Sequence, residues 1–102
     1  MLELRPNCEC CDNDLPVDAT DAMICSYECT FCRDCVDMIL HNVCPNCGGG
    51  FSPRPIRPSV ARREGVSLSF HPASERRVHT SFSREALIAF SERVKGTPPS
   101  ER

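Results

Sequence analysis

Apolar positions along the chain fall into three patterns. Between Cys35 and Cys44, Val36, Ile39, Leu40 and Val43 recur at three- and four-residue steps. This is the spacing of one helical face and predicts a short central helix of one or two turns. Near the C-terminus, Leu87, Ile88, Phe90 and Val94 follow Ser83, a residue suited to capping, and precede Gly96 and two prolines. A helix over 83–96 is predicted, short enough to need a docking surface. Val66, Leu68 and Phe70 alternate with Ser67 and Ser69, the period of a short strand. Leu2, Leu4, Leu15, Ile24 and Phe31 complete a modest core. No run approaches the roughly 18 to 20 apolar residues needed to cross a bilayer, so a soluble protein is expected.

Polar patterning divides the chain. Gly48, Gly49 and Gly50 end one region, and Phe51-Ser-Pro-Arg-Pro-Ile-Arg-Pro58 follows, too proline-rich for a helix or a central strand and therefore extended. The expected organisation is a metal-dominated domain over 1–50, an extended Pro/Arg-rich arm and linker over 51–82, the short helix over 83–96 and a disordered tail over 97–102. Charge follows the same boundary. Residues 1–50 hold nine acids and two bases, a formal −7, whereas residues 51–102 hold five acids and ten bases, a formal +5. The overall value of −2 conceals this polarity.

Cysteine content then decides the fold class. Nine cysteines lie within the first 47 of 102 positions, and the chain has no Trp and one Tyr, so its apolar core is too small to specify the fold without help. Eight of them form a series, Cys8-x2-Cys11-x13-Cys25-x3-Cys29-x2-Cys32-x2-Cys35-x8-Cys44-x2-Cys47. Closely spaced pairs can converge on a tetrahedral ion, and four pairs make two four-ligand sites. Disulfides at such spacings would close small loops and gain little. Met1 to Cys11 contains no apolar run of signal-peptide length, so a reducing, cytoplasmic location is expected, and with it zinc, two ions per chain. Cys10 is the ninth thiol, read as a small buried side chain or an exchangeable alternative ligand. His41 has ligand-like spacing to Cys44 and is the other alternative, although it is better placed at the polar end of the central helix.

The order and gaps of the series, with Cys29-Thr-Phe-Cys-Arg-Asp-Cys35 and Cys44-Pro-Asn-Cys47, resemble a RING finger with cysteine in all eight ligand places. That resemblance implies a small α+β, RING-like or treble-clef fold with a two-zinc cross-brace. Alternate pairs would then share an ion: Cys8, Cys11, Cys32 and Cys35 at one site, and Cys25, Cys29, Cys44 and Cys47 at the other. A sequential pairing would serve the coordination chemistry equally well, and a site using fewer cysteines is a further alternative. The closeness of Cys29 to Cys32 favours interleaving, because one turn can hand a residue to each site. RING ligases call for an apolar residue between the first ligand pair, where this chain has Glu9 and Cys10, and often for a basic residue after the last ligand, where it has Gly48. Ubiquitin ligase activity is therefore not expected. More closely, the opening Met-Leu-Glu-Leu-Arg-Pro-Asn-Cys-Glu-Cys-Cys, the run Ile24 to Cys32, Cys-Pro-Asn-Cys-Gly-Gly49 and His71-Pro-Ala-Ser74 resemble a family of small bacterial proteins catalogued as domain of unknown function 1272. This implies a bacterial cytoplasm and names no activity.

A catalytic zinc keeps an open position, whereas four-cysteine sites are closed, and no nucleophile and base pair or phosphate loop stands out. The chain reads as a non-catalytic structural zinc protein that contacts an unidentified protein, with Arg54, Arg57, Arg62 and Arg63 as candidate contact residues. Two alternatives are a nucleic-acid accessory role for the basic half and a redox- or zinc-responsive role resting on Cys10. The arginines could also fold back on the acidic half.

Overall fold

In the computed structural model, which describes all residues from Met1 to Arg102, strands β1 (Ala22–Ile24) and β2 (Thr30–Cys32) form an antiparallel hairpin. Ala22 lies opposite Cys32, Met23 opposite Phe31 and Ile24 opposite Thr30. The connecting turn holds Cys25 and Cys29 and closes through Glu28, whose φ of 69° is left-handed and whose amide donates to the Cys25 carbonyl at 3.0 Å. Strand β2 passes directly into helix α1 (Arg33–Cys35), which continues as a wider π-helical turn over Val36–Leu40. His41 and Asn42, with φ of 49° and 62°, stop it. The predicted central helix is thus present. Val36, Leu40 and Val43 turn inward as expected, and Ile39 is half-buried.

Strand β3 (Ser52–Pro53) pairs with the free edge of β1, giving the order β2-β1-β3. Pro53 is tolerated because its missing N–H falls on an edge strand. The core forms beneath this small sheet. Phe31 is fully buried and meets Phe51 edge-on, with centroids 5.3 Å apart at 72°. Leu15, Ala22, Val36, Leu40, Leu87 and most of the cysteines complete one cluster. Leu4 is also buried, whereas Leu2 and Ile24, expected in the core, are half-buried. No helix is long and apolar enough to cross a membrane.

The C-terminal half departs from the expected linker and disordered tail, because residues 52–57, residues 74–80, the predicted C-terminal helix and the last residues are each held to the cysteine-rich half. Val66, Leu68 and Phe70 form no strand: the amides of Phe70 and His71 both donate to the Ser67 carbonyl, which closes a turn instead. Residues 74–80 then run parallel to residues 4–9 as a strap. Ser74 N–H donates to Leu4 O at 3.0 Å and Thr80 N–H to Glu9 O at 2.7 Å. Between them the Asn7 side-chain amide exchanges bonds with the Val78 backbone at 2.8 and 3.3 Å. Helix α2 (Arg84–Val94) matches the predicted helix, with Ser83 Oγ accepting from Ala86 N–H at 3.1 Å. An isolated helix of 11 residues is marginal in water. This one docks through buried Leu87 and through Ser91, whose hydroxyl donates to the Leu40 carbonyl at 2.8 Å. Residues 97–102, expected to be disordered, make a 3-10 turn over Pro99–Glu101. The Arg102 guanidinium fixes them by donating to Asn42 O and Gly48 O.

Two arginines expected to face a partner face inward. Arg54 is 5% exposed and donates to the carbonyls of Arg5, Leu15 and Pro16, while Arg57 donates to those of Leu2 and His71. Their physical role is to satisfy loop carbonyls that no sheet or helix can reach. Arg54→Ala is expected to destabilise the protein by about 2–3 kcal/mol, the scale of losing charge-assisted hydrogen bonds while leaving buried acceptors unpaired. Urea unfolding of the metal-loaded protein measures it; a midpoint within error of the parent would show that water replaces the guanidinium.

Candidate metal centres

Three loops of the same construction carry the ligand-like thiols. At Cys8-Glu-Cys-Cys11 the chain reverses through Asp12, with φ of 65° and its amide 2.9 Å from Cys8 O. At Cys44-Pro-Asn-Cys47 it reverses through Gly48, with φ of 80° and its amide 2.7 Å from Cys44 O. The hairpin turn at Cys25–Cys29 is the third. Each loop aims a backbone N–H at sulfur: Cys11 N–H at Cys8 Sγ (3.5 Å), Tyr27 N–H at Cys25 Sγ (3.3 Å) and Gly49 N–H at Cys47 Sγ (3.4 Å). Such donors stabilise thiolates and fix their direction. At position 48 the left-handed backbone explains the glycine that stands where a RING ligase often has a base.

These loops bring two cysteine groups together. Sulfurs of Cys8, Cys11, Cys32 and Cys35 all lie within 4.8 Å of one another, and so do those of Cys25, Cys44 and Cys47. Membership alternates along the chain, as in the interleaved reading and not the sequential one. The β2–α1 junction explains it: Cys32 ends the strand and Cys35 lies one helical turn on, so both reach back to the first loop. Cys29, on the far side of the hairpin turn, falls outside the converging trio, although it is buried. His41 is exposed at the left-handed end of the helical segment and joins neither group.

The donor sets fit a soft, tetrahedral cation. With metal–sulfur bonds of about 2.3 Å, sulfurs at the corners of a tetrahedron stand about 3.8 Å apart, and Cys11 Sγ and Cys32 Sγ are separated by 3.8 Å. Charge points the same way. Burial, aided by the charge of neighbouring thiols, pushes Cys32 up to about 11 and raises Cys35 and Cys44 further. Thiols packed this closely cannot all ionise unless a cation shares the site. Each group could hold a metal ion. In the first group all four members would serve as thiolate ligands, and in the second Cys25, Cys44 and Cys47 would.

Cys10 does not join either converging group. It is 9% exposed, and burial raises its pKa. Its carbonyl accepts or is contacted by His79 Nε2 at 3.2 Å, depending on the imidazole tautomer.

One functional residue escaped the sequence analysis. Glu9, between Cys8 and Cys10, is 3% exposed. Its Oε2 accepts from Thr30 N–H at 2.6 Å and from Arg5 at 2.8 Å, and its Oε1 accepts from Asn46 Nδ2 at 3.3 Å. Thr30 follows Cys29, and Asn46 precedes Cys47, so one carboxylate joins the three cysteine loops. The only sequence signal was an acid flanked by metal-ligand candidates. The basic half also closes over the acidic one: Arg77 pairs with Asp14 at 2.6 Å and Asp12 at 3.1 Å, beside the first loop.

Fold and site together define a small α+β protein built around two cysteine groups able to hold metal, with a short helix and a three-stranded sheet. Residues 1–57 match the family described as Protein of unknown function (DUF1272), and the chain belongs to that family. An uncharacterised protein of Rhizobium meliloti (strain 1021) is 55% identical over 78 residues, which cover 76% of this chain and 86% of that protein. No solved structure matches the chain.

Proposed function

We propose that the cysteine-rich half is a RING-like, treble-clef scaffold holding two zinc ions, non-catalytic, which displays a surface to a protein partner. The observation that carries this reading is the alternating membership of the two sulfur groups, which lets two ions brace one short hairpin and helix. Cys29 becomes the fourth ligand of the second site with a small shift of the hairpin turn toward the trio. Four thiolates leave a zinc ion no open position for water and quench its Lewis acidity, so the metals support shape and not turnover. Ubiquitin transfer is outside the proposal: the position between the first ligand pair is Glu9, whose carboxylate is fully engaged inside the molecule. Nucleic-acid binding is less favoured, because Arg54, Arg57 and Arg77 are committed to contacts within the chain and the net charge is −2.

Native mass spectrometry with elemental analysis of the full chain tests the scaffold. The expected result is two zinc ions per chain, retained in Cys10→Ser. A metal-free chain with disulfides would overturn the proposal. Affinity capture from a cell extract, with and without prior chelation, then tests the contact role; a partner retained equally by the chelated chain would count against a metal-built surface.

A further inference from the structure

The loop following the arm carries basic charge that the rest of the molecule does not use. Pro58 to His71 is closed at its base by Leu68 N–H to Pro58 O at 2.8 Å and by Arg57, which donates to His71 O at 2.7 Å and Leu2 O at 2.8 Å. A hollow of about 430 Å3 opens here, lined among others by Met1, Arg57, Arg62, Arg63, Val66 and His71. Arg62 and Arg63 are exposed and belong to none of the ion pairs that engage Arg5, Arg76, Arg77 and Lys95. Glu64 is the one acid in the loop. Val66 in its lining is more than half exposed, and so, along the same stretch of chain, are Ile56, Val60 and Phe70, at 52, 53, 55 and 59%. Cationic side chains set among solvent-facing apolar ones make an amphipathic surface on a preformed loop.

Resting on the reading of the protein as a contact module, we propose that this hollow docks a short acidic segment of a partner protein, its carboxylates on Arg62 and Arg63 and an apolar side chain against Val66. Arg57 contributes a fixed positive charge at the floor, since its guanidinium is tied to two carbonyls. Charge elsewhere selects the occupant. The cysteine-rich half carries a formal −7, which repels a long polyanion or an anionic bilayer that must extend across the molecule. A short acidic segment meets only the basic loop. Exposed Val66 in the lining adds what a peptide side chain can cover and a phosphate backbone cannot.

The test uses the full metal-loaded chain and a fluorescein-labelled synthetic peptide of Glu-Leu-Glu repeats, followed by fluorescence anisotropy. Control peptides carry Ser for Leu or Lys for Glu. Binding is expected to weaken on the order of tenfold in Arg62→Glu/Arg63→Glu, which corresponds to about 1.4 kcal/mol. It should weaken comparably in Val66→Ser and with the Ser control, and the Lys control should not bind. Equal affinity of parent and charge-reversed protein for the Glu-Leu-Glu peptide would overturn the proposal. So would tighter Arg62- and Arg63-dependent binding of oligouridine or of phosphatidylglycerol vesicles. Zinc content measured on the same samples separates the two readings: a metal-free parent defeats the scaffold, whereas a two-zinc parent that ignores the peptide defeats only the docking surface.

Discussion

Cys35→Ser is expected to lower the zinc content from two ions per chain to one and to release the N-terminal loop together with the strap that lies on it. Cys35 is 5% exposed and belongs to the four-sulfur group. A serine hydroxyl in its place offers no thiolate and leaves three ligands from two distant segments. A structural zinc ion contributes on the order of 10–16 kcal/mol in small metal-dependent folds, comparable with or above the roughly 5–15 kcal/mol that separates a whole domain from its unfolded state. Only 23 of 102 residues are buried here, and seven of those are cysteines, so apolar packing offers limited compensation for a lost metal ligand. Because residues 74–80 bond to residues 4–9, hydrogen exchange should accelerate in both segments at once, while the β1–β2 hairpin keeps its protection through the second ion. Native mass spectrometry and amide exchange read the two effects. Two ions retained, with exchange unchanged over 4–9 and 74–80, would remove the first site from the account.

The contrast with Cys10→Ser shows why the cysteine series was readable from sequence. Ligand pairs are local: a two- or three-residue gap is enough to identify a loop that aims two sulfurs together, and the odd thiol betrays itself by breaking the spacing. The central helix and α2 were equally local, each written in a three- or four-residue period and, for α2, in the Ser83 cap. What could not be read is non-local. Nothing near Asn7 announces that its amide will bond Val78, 71 positions later, and nothing in Pro-Arg-Pro-Ile-Arg distinguishes a solvated arm from one whose guanidiniums collect carbonyls. Charge polarity did foreshadow the fold-back of Arg77 onto Asp12 and Asp14, without specifying its register. The alternation of Val66, Leu68 and Phe70 misled because a period of two describes a strand only where a partner strand exists.

Glu9→Gln is expected to destabilise the protein by roughly 3 kcal/mol or more and to loosen both metal centres together. Arg5 Nη1 lies 2.8 Å from the carboxylate, with side-chain exposures of 15% and 3% for the two residues. Burial opposes the Arg5 charge, yet the carboxylates of Glu9 and Glu3 hold its pKa above the ordinary arginine value. Breaking a buried pair from one side costs about 3–5 kcal/mol, and Arg5, which keeps Glu3 at 3.3 Å, places this loss at the lower end of that range. Glutamine keeps the volume but presents at most one carbonyl oxygen. It cannot accept from Thr30 N–H and Arg5 on one side while also accepting from Asn46 on the other, so one donor is left facing another. In a domain of this size a loss of 3 kcal/mol lowers the melting temperature on the order of 10 °C or more. Arg5→Met combined with Glu9→Gln removes a charge left with Glu3 alone and should recover part of the loss, giving a coupling energy in a double-mutant cycle. The metal readout distinguishes this carboxylate from a ligand: Cys35→Ser empties one site, whereas Glu9→Gln should keep two ions at equilibrium and transfer both to a chromogenic chelator faster than the parent does. Faster transfer of one ion alone would mean that Glu9 supports a single loop; unchanged transfer of both, with unchanged stability, would show that the three cysteine loops hold their places without it.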